Sequence, residues 1–260
     1  MPIARSGDVG IHWRRDGKPG AAPLVLLNSI GTDLRLWDEA LPWLAPHFDV
    51  VRIDTRGHGD SDVPGGDYRL ESLARDVAAV MDDARIAAAA VAGVSLGGMI
   101  AMQLALDHPD RVTALIPICT SAAMDKAAWQ ARIDAVRAGG TAAIADLAMS
   151  RFLSPRFTDS HPRTAELLRE RLVGMPAAGY AGAGAAIRDM ALLDRLPRIA
   201  VRTLLVAGDL DASTPFAGHG DRILAAIPGA ELRRLPAGHL APVETPELLA
   251  AAIRAFLQSS

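Results

Sequence analysis

The feature that most constrains this chain is a series of short apolar runs, each followed by a stretch with helical spacing. The runs stop at glycine, proline or small polar residues, as buried strands of a parallel sheet do. The stretches between them, such as residues 70–81, have the spacing of helices that cover a sheet. The sequence therefore predicts an α/β fold with a mostly parallel sheet flanked by helices. The predicted strands are residues 24–27, 50–53, 91–94, 112–118, 203–206 and 231–235.

One long segment departs from this alternation of strands and helices. Residues 122–196 are rich in alanine and helical in pattern, with glycine or proline interrupting the pattern at several points. We therefore expect a helical insertion at 122–196, carried by a core that consists of residues 1–121 and 197–260.

The two ends of the chain carry their own patterns. Residues 11–15 alternate in polarity, and the turn-rich segment D-G-K-P-G separates them from the run at 24–27. This arrangement predicts an opening hairpin between the two segments. At the other end, a helix is predicted at 246–257, with Thr245 as N-cap and proline at the first helical position.

Charge and cysteine usage exclude several classes of protein. The 27 basic and 30 acidic residues give a net charge of -3, so the chain offers no positive field to hold nucleic acid. The single cysteine, Cys119, cannot form an internal disulfide, and the first residues lack the apolar core of a signal peptide. We therefore expect a cytoplasmic protein, and the sequence predicts no particular oligomeric state.

Residues 87–106 form a stretch of membrane-spanning length without a charge. Alanine dominates its first half, and glycine and serine interrupt its centre, where a spanning helix would carry larger apolar residues. A buried strand, a tight turn and a buried helix account for the stretch better, so no membrane association is expected.

The turn inside this stretch contains the strongest chemical signal, G-V-S-L-G-G at residues 93–98. A serine on a sharp turn between strand and helix needs small neighbours, because the backbone is crowded on both sides. Gly93 and Gly97 occupy the positions two before and two after Ser95. The pattern therefore predicts that Ser95 is an exposed nucleophile.

A serine nucleophile needs a histidine base and an acid that orients the histidine. Of the seven histidines, His239 directly follows the run at 231–235, at the carboxyl end of a predicted strand. His58 is the alternative, with loop stabilisation as its more ordinary role. Two acids, Asp209 and Asp211, follow the strand at 203–206, and the spacing alone does not separate them.

With these residues the chain resembles the α/β-hydrolase superfamily over essentially its whole length. Within it, the chain is similar to the 3-oxoadipate enol-lactonases of bacterial aromatic catabolism. Asn28-Ser29 stands where the superfamily often has His-Gly, and Arg151 stands where the subgroup often has tryptophan, a change expected to alter the pocket. The segments that carry the resemblance are residues 28–37, 54–64, 93–100, 129–133, 179–189, 208–215 and 237–239.

The resemblance implies a complete catalytic set. It assigns the acid to Asp211, leaving Asp209 as a turn residue, and gives the chain order Ser95, Asp211, His239. The backbone N–H groups of Leu96 and Ile30 are then expected to form the oxyanion hole. The implied reaction opens 3-oxoadipate enol-lactone to 3-oxoadipate through an acyl-serine, with no metal and no organic cofactor.

The implied substrate is a small lactone with a free carboxylate, so the pocket should contain a cation. Arg132 and Arg188 are the first candidates because both lie in segments that resemble the subgroup, and Arg151 is a third. Trp129 is expected to line the pocket. The insertion at 122–196 would then be a lid.

Two other functions remain open from the sequence. A broader carboxylesterase, or a cofactor-free haloperoxidase-like perhydrolase, would use the same triad with a different pocket. A ligand-binding or scaffold protein that kept the fold without turnover would not depend on Ser95.

Overall fold

The computed structural model describes residues 2–259 and contains an eight-stranded sheet in the order β1-β2-β4-β3-β5-β6-β7-β8. β2 runs antiparallel to both β1 and β4, and all other neighbours are parallel. This is the predicted α/β arrangement. The strands are β1 (Ile3–Ser6), β2 (Val9–Gly17), β3 (Pro23–Leu27), β4 (Asp49–Ile53), β5 (Ala89–Val94), β6 (Val112–Ile118), β7 (Leu204–Gly208) and β8 (Glu231–Leu235).

Helices cover the sheet and fill the long connection between β6 and β7. Those outside this connection are α1 (Leu41–Leu44), α2 (Leu70–Asp83), α3 (Leu96–Asp107), α9 (Asp221–Ala226), α10 (Ala241–Glu244) and α11 (Pro246–Gln258). The connection itself contains α4 (Lys126–Gly139), α5 (Ala145–Phe152), α6 (Pro155–Ser160), α7 (Pro162–Val173) and α8 (Ala177–Asp189).

The predicted opening hairpin is wrong. β2 does not pair with β3, because both sides of β3 are occupied by the parallel strands β4 and β5. The real hairpin joins β1 to β2 through a two-residue turn, in which Gly7 has φ 61°. Glycine adopts this conformation without the penalty that other residues incur. The segment D-G-K-P-G instead forms the last two residues of β2, paired with β4, and the start of the crossing from β2 to β3.

The uncharged stretch at 87–106 folds as β5, a turn at Ser95 and most of α3. Nearly every side chain of α3 is buried, which explains why the stretch at 87–106 contains no charged residue. Among residues 2–259, no helix has the length and apolar character needed to cross a membrane.

Two details of the helices bear on later arguments. α11 begins where predicted, but the Thr245 side chain does not cap it and instead contacts the Ala241 carbonyl at 3.4 Å. α8 packs on the core backbone to backbone, because a Cβ on Gly179 would lie 2.1 Å from the Gly57 carbonyl oxygen. Only glycine at position 179 permits this approach of α8 to the core.

The functional side chains cluster because of the sheet topology. β3, β5, β7 and β8 are mutually parallel members of one sheet, so their carboxyl ends lie along the same edge. The loops that follow these strands carry Ile30, Ser95, Asp211 and His239.

Candidate active site

Ser95 occupies a strained turn between β5 and α3. Its φ of 55° is one that residues other than glycine rarely adopt. The turn is possible because its neighbours are small: a Cβ on Gly93 would lie 2.2 Å from the carbonyl carbon of Gly97, and a Cβ on Gly97 would lie 2.7 Å from the Leu27 carbonyl oxygen. Two hydrogen bonds hold the strained residue, from Ser95 N–H to the Ile118 carbonyl (2.9 Å) and from the Thr120 hydroxyl to the Ser95 carbonyl (2.6 Å).

Asp211 and His239 are in contact at the edge of the sheet formed by the carboxyl ends of the parallel strands, where the Ser95 turn also lies. His239 Nδ1 lies 3.0 Å from both carboxylate oxygens of Asp211. Asp211 also accepts hydrogen bonds from the Ser213 N–H (2.8 Å), the Thr214 N–H (3.0 Å) and the Thr214 hydroxyl (2.8 Å). Asp209 lies elsewhere and pairs with Arg234 at the surface. The structure thus brings Asp211, and not Asp209, to the histidine.

These contacts keep the Asp211 carboxylate ionised. Burial alone would raise the pKa of Asp211, but the positive charge of His239, its hydrogen bond and the donors of Thr214 together lower the pKa to about 2. The ionised Asp211 accepts a hydrogen bond from the Nδ1–H of His239. When the imidazole is neutral, its lone pair is therefore on Nε2.

The Nε2 atom of His239 is buried and has no hydrogen-bond partner anywhere in residues 2–259. The hydrogen bond from Ser95 to this nitrogen is therefore not formed in the structure. Catalytic hydrogen bonds are often long before substrate binds, so this geometry is compatible with a base that engages Ser95 during the reaction. A buried acceptor without a partner is rare in folded proteins. The Nε2 lone pair is therefore available to accept a proton from a reacting group.

The loop after β3, which carries Ile30, begins close to the amino terminus of α3, because a Cβ on Gly97 would lie 2.9 Å from the Asn28 carbonyl oxygen. Leu96 is the first residue of α3, where N–H groups have no partner within the helix. The neighbouring Gly31 is excluded as an oxyanion donor, because its N–H already donates to His58 Nε2 at 3.2 Å. Ile30 and Leu96 therefore stay the candidate pair of donors.

His58 has the structural role that the sequence favoured for it. It is buried, its Nε2 accepts the Gly31 N–H, and its Nδ1 lies 3.1 Å from the Arg56 carbonyl. Burial lowers the pKa of His58, so the ring is neutral and joins the loop after β3 to the loop after β4.

Two aromatic residues that sequence reasoning missed lie over the site. The Phe152 ring stacks on the His239 ring, with centroids 5.8 Å apart and planes 16° apart. Tyr180 is fully buried, and a Cβ on Gly31 would lie 3.3 Å from Tyr180 Cε2 and 3.8 Å from Phe152 Cε2. Both rings thus border the loop that carries Ile30. Their spacing in the insertion is that of ordinary helix packing, so no sequence signal separated them from core residues.

The structure distinguishes the two arginines that the sequence could not rank. Arg188 is already paired with Asp189 and Asp67, and it also donates to Gln130 at 2.6 Å. The hydrogen bond to Asp189 is the main reason why the pKa of Arg188 is raised. With its donors occupied, Arg188 is poorly placed to receive a substrate carboxylate.

Arg132 has the opposite environment. Its Nε and Nη2 atoms are buried, and neither has a hydrogen-bond partner within the described part of the chain. The guanidinium lies over the rings of Trp129 and Tyr180, 5.1 and 5.5 Å from their centroids. Arg132, Trp129 and Arg151 line one cavity, which extends to Ser213 on the loop that carries Asp211. Arg132 is half-buried, and its two unpartnered nitrogens make it a candidate group for binding an anion.

A buried hydroxyl accompanies this cation. The Tyr180 hydroxyl has no hydrogen-bond partner among residues 2–259. Burial raises the pKa of Tyr180 to about 12, against the opposing effect of Arg132, so the group remains a proton donor at neutral pH.

One side-chain cluster has the composition of a metal site, but it lies outside the catalytic set. His12, Asp54 and Asp60 bring ligand-type atoms within 4.8 Å of one another. Asp54 is already occupied, because its carboxylate accepts from His12 (2.7 Å), the Leu34 N–H (2.7 Å) and the Asp60 N–H (3.0 Å). The cluster is therefore explained as a hydrogen-bonded brace of the loop after β4.

Comparison with known proteins agrees with this fold. A family model described as the alpha/beta hydrolase fold matches residues 22–246. The chain is 33% identical to 3-oxoadipate enol-lactonase 2 of Acinetobacter baylyi over 96% of this chain and 94% of the relative.

Two solved structures are similar over nearly their full lengths. The enol-lactonase from Burkholderia xenovorans LB400 has a TM-score of 0.96 at 33% identity, and the alignment covers 99% of this chain and all of that one. A hydrolase from Pseudomonas aeruginosa PA01 has a TM-score of 0.95 at 38% identity, covering 99% and 98%.

The chain therefore belongs to the alpha/beta hydrolase family. Within that family, the proteins to which the chain is similar over nearly its full length include 3-oxoadipate enol-lactonases, as the sequence motifs predicted.

Proposed function

We propose that this protein hydrolyses 3-oxoadipate enol-lactone to 3-oxoadipate, using Ser95, His239 and Asp211. The observation that carries the proposal is a pair of groups with buried, unpartnered nitrogens: the imidazole of His239, and the guanidinium of Arg132, whose cavity extends to Ser213 on the loop that carries Asp211. The first supplies a base for a serine, and the second supplies a counter-ion for a carboxylate. The similarity to enol-lactonases supports the same substrate.

In the acylation step, Ser95 Oγ attacks the lactone carbonyl carbon while His239 Nε2 takes the hydroxyl proton. The N–H groups of Leu96 and Ile30 stabilise the negative oxygen of the tetrahedral intermediate. As the intermediate collapses, the ring carbon–oxygen bond breaks and His239 returns the proton to the enol oxygen. The enol then becomes a ketone while the chain stays esterified to Ser95.

Hydrolysis of the acyl-serine repeats these roles with water. His239 Nε2 takes a proton from the water as its oxygen attacks the ester carbon, and the bond to Ser95 Oγ breaks as that oxygen regains a proton. Asp211 stabilises the imidazolium in both steps. Each step is assigned to side chains or backbone N–H groups of the protein itself, so the proposed reaction requires no cofactor.

Arg132 binds the free carboxylate of the lactone in this proposal, with the Tyr180 hydroxyl as a second donor. Both groups have unsatisfied hydrogen-bonding capacity, and Tyr180 also borders the loop of Ile30. The helices α4 to α8 then act as a lid over the site. A protein of this kind acts on a small molecule in the cytoplasm and needs neither nucleic acid nor a membrane.

The first test measures the loss of ultraviolet absorbance of fresh 3-oxoadipate enol-lactone, with a neutral nitrophenyl ester in parallel. We expect fast lactone hydrolysis, weak ester hydrolysis and the loss of both in Ser95→Ala. Slow lactone hydrolysis with fast ester hydrolysis would instead support the carboxylesterase alternative. Activity that survives in Ser95→Ala would exclude the proposed nucleophile.

The second test separates the arginines. Charge-assisted hydrogen bonds contribute about 1.5 to 3 kcal/mol, so Arg132→Gln should raise KM for the lactone roughly 10- to 100-fold and leave the neutral ester unaffected. Arg188→Gln tests the alternative cation and should leave KM unchanged. Arg137→Gln, which removes another arginine of α4 that pairs with Asp67, is the matched control. Normal lactone kinetics in Arg132→Gln would refute the assigned carboxylate site.

A further inference from the structure

The loop that carries His239 is joined to the helical insertion by one carboxylate, that of Glu244 in α10. Glu244 Oε2 accepts hydrogen bonds from the Gly238 N–H (3.0 Å) and the Ser154 hydroxyl (2.8 Å). Its Oε1 accepts from the Ser154 N–H at 2.7 Å. One side chain therefore holds the residue immediately before His239 and the residue that begins the turn into α6.

The residue after His239 is attached to the same part of the insertion. The Leu240 N–H donates to the Phe152 carbonyl at 3.1 Å. Phe152 in turn stacks its ring on the His239 imidazole. Residues 238 and 240 are thus tied to residues 152–154, and the imidazole between them lies against an aromatic ring from the same segment.

The close approach of these segments depends on a glycine. A Cβ on Gly238 would lie 2.5 Å from Glu244 Oε1 and 2.8 Å from the Ser154 nitrogen. Neither distance is a normal contact, so only glycine at 238 allows Glu244 to reach both segments.

We propose that Glu244 is a positioning residue for His239. It fixes the backbone on which the imidazole is mounted, so that Nδ1 stays on Asp211 while Phe152 restrains the ring from one side. The inference rests on the proposed role of His239 as the base, and it does not depend on which ester or lactone is the substrate.

The hydrogen-bond pattern requires a carboxylate at position 244. Two backbone N–H donors, Gly238 and Ser154, face different oxygens of the same group. An amide has one oxygen, so in Glu244→Gln the amide nitrogen must face one of these N–H groups in either orientation. The substitution keeps the volume of the side chain and removes one backbone anchor.

The test compares four proteins on a neutral nitrophenyl ester: the parent chain, Glu244→Gln, Ser154→Ala and the control Glu247→Gln. Glu247 is a nearby exposed glutamate in the first turn of α11. Rates are corrected for the active fraction by titrating Ser95 with a phosphonate. We expect kcat of Glu244→Gln to fall roughly 10- to 100-fold with KM within about twofold, because small misplacements of a catalytic group have effects of that order.

Ser154→Ala keeps both backbone anchors and loses the hydroxyl contact to Glu244 together with the N-cap contact from the Phe157 N–H (3.3 Å), so a smaller fall in kcat is expected. It also provides a folded variant if Glu244→Gln is unstable. Hydrogen exchange of the Gly238 amide gives a direct second readout, which should be faster in Glu244→Gln and unchanged in Glu247→Gln.

A kcat for Glu244→Gln within twofold of the parent would overturn the proposal, as would a loss explained entirely by a smaller active fraction. An unprotected Gly238 amide in the parent chain would also overturn it. Failure of the proposed function looks different: the parent chain would hydrolyse the lactone slowly or not at all, while the Gly238 amide would still report on the contact with Glu244, and any ester hydrolysis by the parent chain would still allow the comparison of variants.

Discussion

Ser95 shows how a single residue can combine strain with function. Its positive φ is unfavourable by about 1 to 3 kcal/mol for a residue with a Cβ, and the structure maintains it through hydrogen bonds to the Ile118 and Thr120 positions. Buried atoms without a partner, on His239, Arg132 and Tyr180, are further local costs, and His12 and Arg254 carry such atoms elsewhere in the described residues. At a binding site, a ligand or a reacting group supplies the missing partner.

The pKa of Asp211 leads to a prediction at this scale. Its folded pKa of about 2 lies below the ordinary 3.8, so the group stabilises the fold above the ordinary value, and this contribution is lost as pH falls towards 2. The difference corresponds to roughly 2 kcal/mol. In urea unfolding, the stability gap between the parent and Asp211→Asn should shrink by about that amount from pH 5 to pH 2.

The control for this prediction is Asp209→Asn. Asp209 forms a surface pair with Arg234, and such pairs contribute about 0 to 1 kcal/mol. The difference in free energy of unfolding between Asp209→Asn and the parent chain should therefore be small at every pH. If the difference in free energy of unfolding between Asp211→Asn and the parent chain does not vary with pH, the assignment of the low pKa to Asp211 is contradicted.

At the scale of elements, the junction of β5 and α3 determines whether the nucleophile can be presented. The strand and the helix approach so closely that Gly93 and Gly97 leave no space for a methyl group. The packing of α8 on the loop after β4 follows the same principle, with Gly57 and Gly179 in contact. At these four positions, glycine marks a close approach of two backbone segments.

This packing predicts a marked difference between two glycine substitutions. Gly93→Ala places a methyl group 2.2 Å from backbone atoms of Gly97, so it should lower the free energy of unfolding by about 1 to 3 kcal/mol and reduce kcat. At Gly65 an added methyl group would meet no atom within 4 Å, and the residue has no positive φ, so Gly65→Ala should be neutral or stabilising by up to about 1 kcal/mol. Equal stability of the two variants in denaturant unfolding would refute the argument.

At the scale of the whole molecule, burial is highest at the centre of the sheet and falls towards its edges. β5 is buried along its whole length, whereas β8 at one edge has exposed or partly exposed side chains at all positions but the last. Central strands open only in global unfolding, while edge strands also open locally.

Amide hydrogen exchange should therefore be slowest in β3, β5 and β6 and faster in β1 and β8. The slowest amides should report the global free energy of unfolding measured independently in urea. If the amides of β8 exchange as slowly as those of β5, the prediction that exchange becomes faster towards the edges of the sheet is contradicted.

Much of this structure follows from local sequence patterns. Short runs ending at turn residues predicted the six strands β3 to β8, and the loops after three of them gave Ser95, Asp211 and His239, with the family resemblance needed to choose Asp211 over Asp209. These features are readable because strand burial, turn geometry and the crowding around a nucleophile each demand particular residues at short spacing.

Only the tertiary structure decided what depends on distant partners. The pairing of β2 with β4, the occupied donors of Arg188 and the unpartnered nitrogens of Arg132 all depend on residues far apart in the chain. The same holds for Glu244, whose three donors come from the loop before His239 and from the insertion. Local patterns determine which side chains are available, but long-range packing determines which of them retain an unused charge or hydrogen bond for a ligand.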